Sequence, residues 1–385
     1  MNVLYITAEV PYPLTSGYLR HFHFLAGLSR KHTITHLSLT RRGASPEARA
    51  ALAPFVERLE VVGSDRRRDV GRLRRSLELR RAGVELQKRA SAELATRSID
   101  VVFLSGKDTF RVLRAATRIP LVIDICDAAS LRLRGELAVA APGRRAICAL
   151  RLAEIARVER RLLARTPHLL FASARDRAAL GMPDATVVPN GIDADHWARR
   201  AAPTLGATVA FSGVMSYPPN HDAAMRLVGG VMPRVRELVP QTALLLVGRD
   251  PLPCLRSTTR GQPKTSVTGA CADLRPHLER AAVYCAPLRF ASGIQNKLLE
   301  ALAMELPVVT TEVAAAGLRV PGDEPPMLIA DDDEGLAAAV VTLLRDPEAR
   351  KRLGAAGRRY VLRHFSWQHS VALVDAALNT AVGDG

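Results

Sequence analysis

A chain of 385 residues is long enough for two domains of about 150 to 200 residues each, and 48% apolar with 24% charged residues is the balance of a soluble globular protein. Aromatic residues, at 4%, are too few for a base-stacking or carbohydrate platform, and no apolar run approaches the roughly 18 residues that cross a bilayer. The net charge of +16, carried mostly by arginine, leaves anionic membrane, phosphorylated ligands or a plain solvated surface; without a helix-turn-helix, zinc-finger or RNA-recognition pattern, nucleic acid is not expected as a partner.

The opening run MNVLYITAEV meets PYPLTSG too soon for the apolar centre of a signal peptide and reads as a buried strand. Strands are expected at 2–8, 33–39, 58–63, 99–105, 120–125 and 168–173, with helices near 18–30, 45–57, 70–97 and 145–165. A short run at 186–193 ends in an Asn-Gly turn. The pattern then restarts, with strands at 207–213, 242–248, 265–269, 282–287, 306–311 and 326–330. Two such series predict an α/β protein with two Rossmann-like domains, joined near 195–205 and closed by a helix at 365–380. Ligands of open parallel sheets bind beyond the carboxyl ends of the strands, so the site is expected in the cleft between the two domains.

The candidate residues lie just after strands. Behind the first strand, a proline loop ends in Ser16-Gly17 before a helix, a place for a phosphate or a plain turn. No G-x-G-x-x-G accompanies it. In LVIDICDAAS, Asp124 and Asp127 end a buried strand. Asp127 suits sugar hydroxyls or acid–base work, or else a helix cap; Asp124 is open to a structural role. FSGVMSYPPNHDAA repeats the strand–proline loop–helix order, its strand ending at Gly213, and LLLVGRDP carries Arg249 at a strand end.

The densest stretch is 267–304. Ser292 and Gln295 have capping-box spacing, which predicts a helix start with outward amides at 293–295. Asn296, Lys297 and Glu300 follow at spacings of one helix face, either directed at an anionic ligand or forming a solvated Lys297–Glu300 pair. The five cysteines, Cys126, Cys148, Cys254, Cys271 and Cys285, include no C-x-x-C and are odd in number. They predict buried free thiols in a reducing, cytoplasmic setting and no metal site.

The stretches 211–224, 267–304 and the following LPVV resemble glycosyltransferase family 4, and more narrowly the bacterial transferases of exopolysaccharide and exosortase systems. VPNGID (188–193) fits the interdomain turn of that family, and PYPLTSGYLRHF and DICDAAS resemble it more loosely. The resemblance implies the GT-B architecture of two facing Rossmann-like domains. Residues 1–195 would bind the acceptor and 196–364 the nucleotide sugar, with 365–385 packing back on the first domain. It implies transfer of a sugar from a nucleotide-diphosphate donor to a hydroxyl acceptor, which is a sugar, a lipid-linked group or a small molecule. Retention at the anomeric carbon and no essential metal or other cofactor are expected.

The family glutamate that holds the donor ribose maps onto Glu300. Its partner glutamate, which meets the donor sugar, is replaced by Ser292. The amides of Gly293, Ile294 and Gln295 would face the sugar and diphosphate, as would Gly17. The basic pair that follows the first strand of the second domain is missing, and Lys297 takes over part of its charge, with Arg249 as the alternative. Asp127 stands where many members carry a histidine. The missing groups keep an inert partner protein in play beside an epimerase or phosphorylase. The arginine-rich stretch 66–89 is expected either to touch anionic lipid or a phosphorylated acceptor, or to be a solvated helix.

Overall fold

The computed structural model describes residues 1–14, 19–40, 43–63, 72–116, 118–200 and 206–384. The first sheet has seven strands: β1 (Asn2–Thr7), β2 (Thr33–Thr40), β3 (Arg58–Gly63), β4 (Val101–Ser105), β5 (Leu121–Cys126), β6 (Leu169–Phe171) and β7 (Thr186–Val187). Their spatial order is β3-β2-β1-β4-β5-β6-β7, and all of them pair in parallel. The second sheet has β8 (Thr208–Ser212), β9 (Ala243–Val247), β10 (Thr265–Val267), β11 (Val283–Ala286), β12 (Val308–Thr310) and β13 (Leu328–Ile329) in the order β10-β9-β8-β11-β12-β13, again all parallel.

Helices cover both faces of the first sheet, so its inner strands read as continuous apolar runs rather than alternating ones. Val101 to Ser105 are all buried, as are Val3 to Thr7. Register stacks the Tyr5 ring against Phe103 on the neighbouring strand, with centroids 4.5 Å apart. Two apolar clusters lie on the two faces of this sheet and a third fills the second domain.

The chain crosses between domains twice, side by side. Val188 belongs to the first core, and Ile192 and Trp197 pack on the second. Phe365 returns to the second core and accepts the Ile192 N–H at 2.9 Å. Gly191 is required there, because a Cβ would stand 2.3 Å from the Trp367 nitrogen. The helix Trp367–Gly383 then lies on the first domain's helix Leu19–Leu28. Trp367 stacks on His23 with centroids 4.3 Å apart, Val371 fills the space beside Gly27, and Asp375 takes Lys31 at 2.6 Å and His32 at 2.8 Å.

Of the arginine-rich stretch, residues 66–71 lie outside the described residues. The remainder is in the helix Arg72–Thr96, which buries Leu86 and Ala90, and its Arg89 pairs with Glu85 at 2.9 Å. All five cysteines are free, as expected. Cys148 and Cys285 are buried, but Cys254 is exposed, because the short helix that carries it (Pro253–Thr259) turns only Leu255 and Thr259 inward. No helix among the described residues is long and apolar enough to cross a membrane.

Candidate functional site

In both sheets the strand order reverses, between β1 and β4 and between β8 and β11, and this opens a crevice at the carboxyl ends. The candidate residues lie around these ends, on both sides of the domain boundary.

At the end of β5, Asp124 is fully buried and gripped by Arg20 through Nε at 2.8 Å and Nη2 at 2.9 Å. Burial raises its pKa, but the guanidinium more than offsets this and holds the carboxyl below its ordinary range. Arg20 also donates to the Val188 carbonyl at 2.8 Å and to Asn190 Oδ1 at 3.0 Å. Asp124 is therefore a structural pin between the first helix and the interdomain crossing.

Asp127 has a different setting. Its Oδ1 accepts from Lys107 Nζ at 2.7 Å, and its Oδ2 accepts from the Ser292 hydroxyl of the second domain at 2.7 Å. The cap reading does not hold: Ala128 is the N-cap of the helix Ala129–Val139, and no side chain caps it. Burial pushes the Asp127 pKa up, Lys107 and the Ser292 hydrogen bond pull it down further, and the group stays ionised. Lys107 is missed by sequence reasoning. Its only signal is a lysine two residues past a buried strand.

The predicted capping box does not form. The helix spans Asn296–Ala303, its N-cap is Gln295, and no side chain caps it. Ser292 turns its hydroxyl to Asp127 instead, and Gln295 Nε2 donates back to the Ser292 carbonyl at 3.0 Å. Gly293 sits at φ 65 with Asp127 on one side; a Cβ would meet the aspartate's Cβ at 3.1 Å. Its N–H is not free for a diphosphate, since it donates to Asp176 Oδ2 at 2.9 Å and Oδ1 at 3.1 Å.

Asp176 is fully buried and also takes the Ala128 N–H at 2.8 Å and the Ser173 hydroxyl. One carboxylate thus fastens the residue after Asp127 to the residue after Ser292. Its legible signal is the S-x-x-D spacing after the strand at 168–173, where Ser173 caps the helix Ala174–Ala179. The partner of that carboxylate in the other domain leaves no local trace.

Ile294 is only 9% exposed and its side chain belongs to the second-domain core, so only its backbone faces outward. Among the described residues, the N–H groups of Ile294 and Gln295 meet no protein acceptor. The expected shared face of Asn296, Lys297 and Glu300 divides three ways. Asn296 Oδ1 accepts from Asn190 Nδ2 at 2.8 Å, across the domain crossing. Lys297 Nζ donates to Asn220 Oδ1 at 2.8 Å and lies 5.9 Å from the Phe211 ring centre. Glu300 is 7% exposed, with no hydrogen bond or ion pair on its carboxylate among the described residues. The solvated-pair reading fails with it. Burial pushes Glu300 up to about 7 against the pull of Lys297, and pushes Lys297 down to about 8 against the pull of Glu300.

Gly213, at φ 152, leaves room for Asn220, whose Nδ2 would stand 2.5 Å from an added Cβ. The same asparagine accepts from Lys297, so Gly213 shapes the site through Asn220. Arg249 does not turn toward Lys297. It pairs with its neighbour Asp250 at 3.2 Å on the surface, while its carbonyl accepts the Met215 N–H at 2.9 Å. Gly17 lies outside the described residues. Among the described residues, no three His, Cys, Asp or Glu side chains gather as metal ligands.

The assembled edge offers a buried carboxylate for hydroxyl groups, an ammonium and two open amides for anionic charge, and an ionised aspartate on the facing domain. Residues 206–346 match the family model described as Glycosyl transferases group 1. The chain is 31% identical over 219 residues to a phosphatidyl-myo-inositol mannosyltransferase of Mycobacterium leprae (strain TN), covering 54% of this chain and 56% of the relative. It is 32% identical over 215 residues to a glycogen synthase of Mycobacterium tuberculosis, covering 53% and 50%. The chain thus spans about half the length of these relatives. Among solved structures, sucrose-phosphate synthase of Thermosynechococcus elongatus superposes over 100% of both chains with a TM-score of 0.76 at 16% identity. The Anabaena protein HepE in complex with UDP and glucose covers 99% of this chain and 100% of its own, with a TM-score of 0.69 at 13% identity. The fold is the two-domain GT-B arrangement.

Proposed function

We propose that the protein is a glycosyltransferase that moves a sugar from a nucleotide-diphosphate donor to a hydroxyl acceptor with retention, and that it needs no metal. The observation that carries this reading is Glu300, a buried carboxylate without a hydrogen-bond partner among the described residues, one helical turn from the half-buried Lys297. A carboxylate in such a place accepts hydrogen bonds from the two ribose hydroxyls, and Lys297 with the amides of Ile294 and Gln295 faces the diphosphate. The match of residues 206–346 and the relatives named as a mannosyltransferase and a glycogen synthase support the same assignment.

In the proposed step, the bond from the anomeric carbon to the diphosphate oxygen breaks and a bond to the acceptor oxygen forms on the same face. The acceptor proton passes to the leaving phosphate oxygen. Negative charge grows on the diphosphate as it leaves, where Lys297 and the helix start stabilise it. Asp127, ionised and held by Lys107, is a poor proton acceptor and orients the acceptor instead. Polysaccharide, glycoconjugate or secondary-metabolite assembly in the cytoplasm, with the first domain on the acceptor and the second on the donor, completes the proposal.

A panel of uridine, guanosine and thymidine diphosphate sugars, read by thermal shift and then by product formation, tests it. One donor should bind, and Glu300→Ala should weaken that binding on the order of 100-fold, as expected for two lost hydrogen bonds to a charged group. Wild-type affinity in the variant would remove Glu300 from the donor site. A second reading, an inert partner protein, is favoured by one observation: Asp127 and the Gly293 amide are already satisfied within the chain. Slow hydrolysis of the bound donor without acceptor excludes it; donor binding with neither hydrolysis nor transfer establishes it.

A further inference from the structure

Strand β5 does not run straight into Asp127. Its pairing with β6 joins Asp124 to Leu170 and then Cys126 to Phe171, so Ile125 is one residue more than β6 can match. At Cys126 the backbone takes φ 59, and the Asp127 N–H donates back to the Ile125 carbonyl at 2.8 Å. A hydrogen bond from residue i+2 to residue i around a positive φ is the strained, left-handed form of the γ-turn, and cysteine has none of glycine's freedom to adopt it.

The surroundings hold the turn on several sides. The Cys126 N–H donates to Asp124 Oδ1 at 3.2 Å, and the Cys126 carbonyl accepts the Ala172 N–H, just past β6, at 2.9 Å. The thiol lies 3.3 Å from Asp124 Oδ2 and 3.4 Å from the Ser105 hydroxyl, and Asp124 is itself fixed by Arg20. Burial pushes the thiol up to about 12, so it stays protonated and serves as neither nucleophile nor base. A strained residue persists only where its neighbours over-determine it, and such strain gathers at functional carboxylates and clefts.

The use of this one follows from the alternation of a strand. Leu121, Ile123 and Ile125 point into one core of the first domain and Val122 into the other. In an extended chain Asp127 would follow Ile125 toward the first of these cores. The turn breaks that alternation and brings Asp127 to the domain boundary, where the Ser292 hydroxyl meets it at 2.7 Å. We propose that the left-handed turn at Cys126 sets the position of Asp127 in the cleft, which makes Cys126 a positioning residue through its backbone and not its thiol. Its consequence for the acceptor rests on the transfer proposed above; the placement of Asp127 does not.

Substitutions at one position separate backbone from thiol. Cys126→Gly and Cys126→Asn remove the thiol and accept a left-handed backbone, whereas Cys126→Val is close in size and, being β-branched, resists it. In urea unfolding of the unliganded protein, Ser292→Ala should lower the midpoint in wild type, in Cys126→Gly and in Cys126→Asn. It should leave the midpoint of Cys126→Val unchanged, because Asp127 no longer reaches that hydroxyl. In sugar transfer, Cys126→Val should lower kcat on the order of 100-fold while the donor KM stays within about 2-fold. Adding Asp127→Ala to it should cost nothing further, since both act through one group. Cys126→Gly and Cys126→Asn should keep most of the wild-type kcat. A loss in these two equal to that of Cys126→Val would assign the effect to the thiol and overturn the proposal. An equal Ser292→Ala shift in all four proteins overturns it as well, because the turn would then not place Asp127. If the wild-type protein transfers no sugar, the transfer reading falls and the unfolding midpoints alone decide the placement.

Discussion

Burial of the Glu300 carboxylate and the Lys297 ammonium near each other, without a direct ion pair, leaves both groups dependent on what enters the cleft. Burial raises Glu300 to about 7, against the pull of Lys297, so the folded protein binds this proton more tightly than the unfolded chain does. The stability associated with that proton is complete below about pH 4.5 and is lost as the pH rises to about 7. Lys297 is pushed down to about 8, so its charged form weakens the fold up to that pH, and the cost is relieved between about 8 and 10.5. Glu300→Gln should therefore stabilise the unliganded protein at pH 8 by roughly 1–3 kcal/mol and leave it unchanged near pH 4.5. Thermal unfolding at the two pH values checks this; an equal shift at both would mean that packing rather than charge sets the Glu300 environment. The same substitution weakens the proposed donor complex, so one residue trades stability for binding.

Between elements, the junction rests on backbone amides as much as on side chains. Asp176 spans the start of the helix Ala129–Val139 and the donor loop, and holds Ala128 and Gly293 at once. Asp176→Ala would leave both N–H groups buried and unpaired, at about 1–3 kcal/mol each. The variant should lose about 2–4 kcal/mol in urea unfolding, and hydrogen exchange should rise at Gly293 while the strands β8 and β11 stay protected. Unchanged exchange at Gly293 would show that the loop is held by Ser292 and Asn296 alone. This is also where sequence reading reached its limit. The inner strands β1, β4, β5, β8, β9 and β11 fall within apolar runs legible in the chain, because a parallel sheet covered on both faces needs continuous apolar stretches there. The helix starts at 296 and not behind a Ser292 capping box, because Ser292 satisfies Asp127, a residue 165 positions away, in preference to its own helix. Local spacing shows which groups lack a partner; it does not show that the partner lies in another domain.

For the molecule as a whole, the decisive contact is the return of the chain's last helix to the domain in which the chain began. Val374, Leu378 and Ala381 are buried in the same cluster as Val3, Tyr5, Phe24 and Leu25. The resemblance to a known architecture anticipated that packing; periodicity alone marks 365–380 as amphipathic without saying which core it completes. Because the first core is built from both ends of the chain, a cavity at Leu378 acts on β1 and on the helix Leu19–Leu28 directly. Leu378→Ala should cost about 2–5 kcal/mol, and the loss should fall on the first domain. Calorimetry should show the first-domain transition moving down, and a spectroscopic probe on Trp367, stacked on His23, should follow it. The second domain keeps its own core of buried strands and Leu302, so donor binding at a temperature below that transition should stay within about 2-fold of wild type, because sites without shared contacts respond independently. A matching loss of donor affinity would show instead that the paired crossings at Gly191 and Trp367 transmit strain from the first core to the helix that carries Lys297 and Glu300.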